Sequence, residues 1–322
     1  SSVTVNATAT SSKAKVRGLG AKDLTVGKNT LPIRVIAEDG SEKIYNVNVI
    51  RKGDGISIFG KLFKVIDVEP TLTTSSNNTI DASGLYKSTA TNTGEATYYF
   101  RGNVENNYVS FAGFTWRIVR VNEDGTIRII MQDGINNNTY KFNSNHSNYT
   151  YMYYTNNSKA KTQLESWYQT NIGSKKNLAS KVAGGNYYCE QAKVKPGDSY
   201  TSGNATMTTY NKYTPDFKCS SDGNGKGVVN ASVGLLSYDE VVYAGGYYGQ
   251  NNNNYYLYNN TYFWTMSPAG FAGSLVWRVN ASGGIMSSYV DSFYCLRAVL
   301  NLTVNVQISD GDGTKENPFV VE

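Results

Sequence analysis

Histidine is almost absent from this sequence, and charged residues are scarce. The chain of 322 residues has one histidine, His146, and only 17% of its residues are Asp, Glu, Lys or Arg. A single imidazole excludes a multi-histidine metal site and leaves almost nothing for an imidazole-based catalytic triad. His146 lies in a loop rich in Asn, Ser and Tyr, and we interpret it as a plain surface residue.

Long apolar runs and long basic runs are also lacking. No segment approaches the roughly 20 apolar residues that span a bilayer, and the N-terminus lacks the basic and apolar regions of a signal peptide. The net charge of +5 is spread along the chain, which argues against nucleic acid as a partner. We interpret the sequence as a processed or excerpted piece without a membrane-spanning segment.

Aromatic residues and glycine are abundant instead. The chain has 26 Tyr and 31 Gly, and 13% of it is aromatic. This composition is too aromatic for disorder and too poor in helix formers for a helical bundle. It predicts a mainly β fold with a few helices, in the α+β class, and the length predicts two domains.

Residues 1–52 alternate apolar and polar positions, as β-strands do. The alternating runs are Val3, Val5 and Ala7; Leu31, Ile33, Val35 and Ala37; and Tyr45, Val47 and Val49. Asp39-Gly40 predicts a hairpin between the last two runs, and residues 26–30 predict a turn before them. This stretch resembles the cadherin-like β-sandwich repeat of bacterial surface proteins, which implies a stalk. Such repeats have further strands before the one matching residues 3–9, so we expect this module to be incomplete at its N-terminus.

Residues 53–97 predict a strand followed by a polar connector, and residues 98–322 predict a second, larger domain. Helical spacing over residues 159–183 is interrupted at Gly173. Ser237 and Glu240 have the spacing of a capping box, which predicts a second helix. The larger domain contains three tryptophans in alternating strands, and we expect them to organise its core. They are Trp116, Trp264 and Trp277.

Four strings in the larger domain carry a second resemblance. They are residues 116–121 (WRIVRV), 263–268 (FWTMSP), 276–280 (VWRVN) and 296–302 (LRAVLNL). Together they resemble bacterial domains with the C-type lectin fold, relatives of the formylglycine-generating enzymes found in surface proteins of gut Firmicutes. Relatives have Gly before the Arg-X-Val motif and Pro within it, whereas this chain has Cys295 and Ala298.

In that fold, irregular segments between the core strands form the ligand face. Residues 247–262 are such a segment, and Tyr and Asn suit recognition by stacking and hydrogen bonding. The candidate ligand-binding residues are Tyr247, Tyr248, Asn251, Asn252, Asn253, Asn254, Tyr255, Tyr256, Tyr258 and Asn259. One alternative is that a compositional bias inflates Asn and Tyr along the whole chain. Another is that this segment is the hypervariable region of a protein diversified by a retroelement.

The three cysteines and a few acidic turns complete the candidate sites. Cys189 and Cys219 flank a long irregular loop, which predicts a disulfide between them and leaves Cys295 as an inert core thiol. No cofactor is predicted. The oxygen-rich turns at Asp310 and Asp312 and at residues 222–225 could hold calcium, although neither has the full set of calcium ligands. Turn formation explains both sequences equally well.

These features predict a non-enzymatic, extracellular cell-surface protein of a low-GC Gram-positive bacterium. In this hypothesis the larger domain is an adhesin that binds a glycan or a protein of a host or neighbouring cell, and the small sandwich is its stalk. An alternative is a structural subunit of a surface filament, assembled with other copies of itself by strand donation. A further alternative is an enzyme of the formylglycine-generating type, for which Cys295 lacks a second thiol nearby in sequence.

Overall fold

Strands dominate the fold, with 40% of residues in strands and 13% in helices. This confirms the mainly β, α+β class. The computed structural model describes residues 2–24, 27–51, 63–68, 70, 72, 82–147, 149–155, 158–184, 187–190, 215–219, 227–270 and 274–321. Among these residues, no helix is both long enough and apolar enough to cross a bilayer.

Five strands of residues 2–51 pair with one another in two small sheets. They are β1 (Ser2–Val5), β2 (Lys15–Arg17), β3 (Gly20–Asp23), β4 (Gly27–Ile36) and β5 (Glu42–Arg51). β1 pairs with β3, and β4 lies between β2 and β5. The predicted hairpin between β4 and β5 is confirmed, because Gly40 has a φ of 83° and the Ala37 amide donates to the Ser41 carbonyl at 2.9 Å.

The turn predicted at residues 26–30 is wrong where the structure describes it. Gly27 begins β4 and pairs with Arg51, and Asn29 pairs with Val49. The stretch is extended because β5 is ten residues long and offers a ladder partner to every residue from Gly27 onward. Residue 26 lies outside the described residues.

The remaining strands form two larger sheets and one short pair. They are β6 (Val65–Ile66), β7 (Gly84–Ser88), β8 (Thr97–Arg101), β9 (Tyr108–Phe111), β10 (Phe114–Val121), β11 (Ile127–Met131), β12 (Thr139–Lys141), β13 (Tyr187–Glu190), β14 (Gly227–Asn230), β15 (Phe263–Gly270), β16 (Leu275–Val279), β17 (Ile285–Tyr289), β18 (Phe293–Cys295), β19 (Val299–Leu302), β20 (Ile308–Asp310) and β21 (Phe319–Val321). A nine-stranded sheet has the order β20-β21-β9-β10-β8-β7-β6, and β11 joins β10 to β19. A five-stranded sheet has the order β12-β18-β15-β16-β17, and β13 pairs with β14.

The predicted connector at residues 53–97 contributes to the large sheet, so the larger unit begins before residue 98. β6 pairs with β7, and β7 pairs along its whole length with β8. Tyr86 of β7 is buried and its ring stacks on Tyr99 at 5.8 Å. The polar composition of the segment concealed this strand, whose apolar residues bury against β8.

The predicted helices are present. They are α1 (Lys159–Tyr168), continued by a π-helical turn (Gln169–Gly173), then α2 (Lys176–Ala179) and α3 (Tyr238–Ala244). Two 3-10 turns lie at Ile135–Asn137 and Tyr149–Met152. Ser237 and Glu240 form the predicted capping box at the start of α3, and Gly245 ends this helix with a φ of 124°. The break near Gly173 is confirmed.

Tryptophan side chains lie at the centre of the large core. Trp116, Trp264 and Trp277 are all buried, which confirms the prediction for each. The Trp116 indole donates to the Phe111 carbonyl at 3.0 Å, and its ring lies 6.1 Å from Trp167 of α1. Helix α1 is thereby held against the large sheet.

Candidate functional site

Two tyrosines of the predicted binding segment lie in the hydrophobic core. Tyr255 and Tyr256 are 1% and 2% exposed. The Tyr255 hydroxyl donates to the Gly283 carbonyl at 2.8 Å, and the Tyr256 ring lies 5.4 Å from the Arg117 guanidinium. Desolvation by burial raises the pKa of both hydroxyls. Their assignment as ligand-binding residues is therefore wrong, because their rings fill the core and no ligand reaches them.

Other members of the segment fasten it to the domain. The Asn252 amide donates to the Gly245 carbonyl at 2.7 Å, and the Asn259 amide donates to the Gln132 carbonyl at 2.9 Å. Half-buried members are Tyr247, Tyr248, Asn252, Tyr258 and Asn259, and exposed members are Asn251, Asn253 and Asn254. The segment thus offers amides to solvent, while its aromatic rings are largely covered. Ligand binding by its exposed residues stays a prediction.

Exposed rings lie instead at one part of the five-stranded sheet. Tyr289, the last residue of β17, is 50% exposed, and Phe293, the first residue of β18, is 59% exposed. The Ser292 amide donates to the Tyr289 carbonyl at 3.0 Å, which closes the turn between these strands. Tyr262, which is 43% exposed, precedes β15, and its carbonyl accepts from the Cys295 amide at 2.9 Å. A tight turn and one backbone bond therefore position all three rings.

His146 holds the turn between β17 and β18. Its Nδ1 lies 2.7 Å from Asp291 Oδ2, and its ring centre lies 5.0 Å from that of Tyr289. The hydrogen bond from His146 lowers the pKa of the Asp291 carboxyl, which favours its charged form. His146 is exposed as expected, and nothing in the sequence near it predicts its pairing with Asp291.

Arg278 contacts two further tyrosine rings, those of Tyr262 and Tyr294. The Tyr262 and Tyr294 rings stack with centres 5.4 Å apart, and the Arg278 guanidinium lies 4.9 Å and 5.0 Å from these two rings. Arg278 Nε also donates to Ser288 Oγ at 2.7 Å. Such contacts restrict the rings to one arrangement, which reduces the entropy lost when a ligand stacks on them.

A cleft of about 260 Å³ opens beside Phe293. It lies between β12, the start of β18 and the first turns of α1. Its lining residues are Thr139, Tyr140, Lys141, Ser144, Lys159, Gln163 and Phe293. Lys141 and Phe293 are direct partners in the pairing of β12 with β18, and Lys141 Nζ lies 5.2 Å from the Phe293 ring centre. The cleft therefore combines one exposed aromatic face with hydroxyl, amide and ammonium groups.

No family model, curated protein or solved structure matches this chain. Its function is therefore inferred from the geometry of the cleft. We refer to the cleft and its seven lining residues as the aromatic cleft.

The carboxylates predicted as calcium ligands accept hydrogen bonds from backbone amides of their own turns. Asp310 Oδ1 accepts from the Gly311 amide at 2.7 Å, and Asp312 Oδ1 accepts from the Thr314 amide at 3.0 Å. The Thr314 bonds lower the pKa of Asp312. Within the described part of the chain, no three His, Cys, Asp or Glu residues are grouped as metal ligands. Residues 222–225 lie outside the described residues, and calcium stays a prediction.

The cysteine prediction is confirmed. Cys189 and Cys219 form a disulfide with their Cα atoms 5.4 Å apart, and Cys295 is free. Cys295 is half-buried, and burial raises the pKa of its thiol. A raised pKa leaves little thiolate at neutral pH, so this thiol is a weak nucleophile.

Proposed function

We propose that this protein is an extracellular surface protein that binds a glycan in the aromatic cleft. The observation that carries the proposal is the Phe293 ring, 59% exposed at the rim of a cleft lined by hydrogen-bonding side chains. Sugars present an apolar face to a ring and hydroxyl groups to polar neighbours, and this cleft offers partners for both. Its volume is just below the ~300–1,000 Å³ of sites for drug-sized ligands, which suits one or two sugar rings.

The disulfide supports the extracellular location. Bonds of this kind persist in oxidising compartments and are rare in the cytosol. The small sandwich of residues 2–51 then serves as a stalk that holds the larger unit away from the cell surface, as its resemblance to stalk repeats implies.

Glycan binding is tested with the purified chain on a glycan array, followed by calorimetry on the best ligand. Phe293→Ala should weaken binding about tenfold, since truncating a central aromatic contact costs more than ~1 kcal/mol. Tyr45→Ala is the matched control, because Tyr45 is 50% exposed on the small sandwich. An empty array, or equal losses in both variants, contradicts the proposal.

An enzyme of the formylglycine-generating type is the weaker alternative. Such enzymes use paired thiols to bind copper, and here Cys189 and Cys219 are bonded to each other. Cys295 would have to act alone. Copper binding by the purified protein that disappears in Cys295→Ser would favour this alternative.

The small sandwich carries a second candidate function, as a subunit of a surface filament. Val5 and Ile33 are its only buried apolar side chains among the described residues. Tyr45 and Val47 share a face of the sheet with Ile33, because Tyr45 pairs with Ile33, yet they are 50% and 38% exposed. An exposed apolar strand at a sheet edge readily accepts a strand from another chain.

Filament formation is tested by light scattering and negative-stain imaging of the native surface. A polymer that Val47→Lys dissolves, or a structure with a foreign strand along residues 3–9, would support the filament. A monodisperse monomer with a self-contained sandwich eliminates it.

A further inference from the structure

The charges that line the aromatic cleft are all positive. Of its seven lining residues two are lysines, Lys141 and Lys159, and none is acidic. The nearby Asp291 is already hydrogen-bonded to His146 at 2.7 Å. In the first turn of α1, Lys161 lies 3.4 Å from Glu165. Asp291 also interacts electrostatically with Lys141, but neither of these carboxylates lines the cleft, so the charges of its lining residues attract anions.

Lys141 and Phe293 are arranged so that one ligand can use both. They are opposite each other in the β12–β18 ladder, so both side chains project from the same face of the sheet. With Nζ 5.2 Å from the ring centre, a sugar stacked on Phe293 would present its ring substituents to the ammonium group. A negatively charged substituent there would form a charge-assisted hydrogen bond.

Lys159 adds positive charge at an unusual position. It is the first residue of α1, directly after the N-cap Ser158, and the first turn of this ten-residue helix has no acidic residue. The positive end of the helix dipole already lies there, so a lysine is electrostatically unfavourable and an acidic residue is the usual choice. An anion bound in the cleft would reverse this penalty, because it is attracted by both the helix terminus and Lys159.

We propose that the aromatic cleft selects an anionic sugar, one whose ring carries a carboxylate or a sulfate, with Lys141 and Lys159 pairing its charge. This inference rests on the proposed glycan binding and specifies its ligand class. The ring stacks on Phe293, and the two ammonium groups discriminate against the neutral counterpart.

The test measures binding to matched pairs of oligosaccharides that differ only at one residue: glucose against glucuronic acid, and galactose against galactose 6-sulfate. The variants are Lys141→Met and Lys159→Met, which keep most of the side-chain length and remove the charge. Lys87→Met, at an exposed lysine of β7 outside the cleft lining, is the control.

We expect an anionic sugar to bind about tenfold or more tightly than its neutral match at low salt, with the preference falling as salt rises. Each cleft variant should reduce this preference, and Lys87→Met should leave it unchanged. A carboxylate preference without a sulfate preference, or the reverse, identifies the anion.

Two results would overturn the inference. If neutral and anionic sugars bind equally and Phe293→Ala weakens both, the cleft binds glycans without selecting charge, and only the inference fails. If no sugar of either kind binds, the proposed function fails and takes the inference with it.

Discussion

Glu240 is the buried carboxylate on which a network of arginines depends. It is the N3 residue of α3 and is 4% exposed. Its Oε1 lies 3.2 Å from Arg120 Nε and also accepts from Arg128 Nη1, while its Oε2 accepts from the Ser237 amide at 2.9 Å. One side chain thereby joins α3 to two neighbouring strands of the large sheet.

Glu240→Gln tests the charge of this network alone. Gln is also accepted at N3 of a capping box, so its oxygen can still accept from Ser237. Its amide, however, would place a donor against Arg120 and Arg128, and both guanidiniums would lose their shared counter-charge. Removing one partner from a buried ion pair costs about 3–5 kcal/mol. That is a large fraction of the ~5–15 kcal/mol that stabilises a typical domain.

Urea unfolding followed by tryptophan fluorescence measures this loss. All four tryptophans, at positions 116, 167, 264 and 277, lie in the larger unit, so the signal reports on that unit alone. Glu123→Gln is the control, because Glu123 is more exposed and lies 3.5 Å from Arg120; it should cost less than ~1 kcal/mol. A loss below ~1 kcal/mol for Glu240→Gln would show that Arg120 and Arg128 do not depend on the charge of Glu240.

The same network predicts a dependence on pH. Desolvation raises the pKa of Glu240, but Arg128 and Arg120 together hold it below its ordinary value. A carboxyl with a lowered pKa in the folded state stabilises the fold above its unfolded value of ~4.3, and this contribution is lost as the pH falls through the folded pKa. The difference in stability between wild type and Glu240→Gln should therefore shrink in acid. A difference that is constant from neutral to acid pH would contradict this.

Four further substitutions test the packing, each by the same unfolding assay. Trp116→Ala should cost about 3–5 kcal/mol, and a loss under ~1 kcal/mol would contradict its place in the core. Cys219→Ser should cost about 3.5 kcal/mol by opening a loop of 30 residues, and non-reducing peptide mapping should find no bridge in it. Gly283→Ala should destabilise the fold, because Gly283 has a φ of 82° and a Cβ there would lie 1.7 Å from the Asn252 carbonyl oxygen. Tyr256→Phe should change stability by less than ~1 kcal/mol, since its buried hydroxyl has no hydrogen-bond partner among the described residues; a larger loss would reveal one.

Features that depend on a few neighbouring residues could be predicted from the sequence. Asp39-Gly40 specifies its hairpin because glycine adopts positive φ without a steric penalty. Ser237 and Glu240 specify a helix start because each satisfies a backbone amide that the helix leaves unpaired. The pairing of Cys189 with Cys219 follows from the loop they flank, since Cys295 lies in a strand of the five-stranded sheet.

Features that depend on distant pairing could not be predicted. His146 and Asp291 are 145 residues apart in sequence, and nothing local to either indicates the other. The same holds for the cleft, whose walls come from β12, β18 and α1. Tyr-rich composition predicted the binding segment at residues 247–262, but composition does not determine which rings are buried. Tyr255 and Tyr256 pack in the core, and the exposed rings lie in other parts of the chain.

The register between β12 and β18 determines which aromatic ring a ligand can contact. β12 pairs with β18 so that Thr139 lies opposite Cys295 and Lys141 opposite Phe293. Because successive side chains point to opposite faces, a shift of one residue would exchange Phe293 and Tyr294 between the faces and separate Phe293 from Lys141. The register is fixed by contacts on the buried side, where Trp264 packs edge-on against Tyr294 at 4.8 Å and donates to the Tyr140 carbonyl at 3.0 Å. The core tryptophan thus sets the register that places the Phe293 ring beside Lys141.

For this reason Trp264→Phe, which keeps an aromatic ring but removes the indole donor, should disturb the aromatic cleft before it unfolds the domain. Glycan affinity should fall in a domain that remains folded with a lower urea midpoint, and an unchanged affinity would show that the register is held by other contacts.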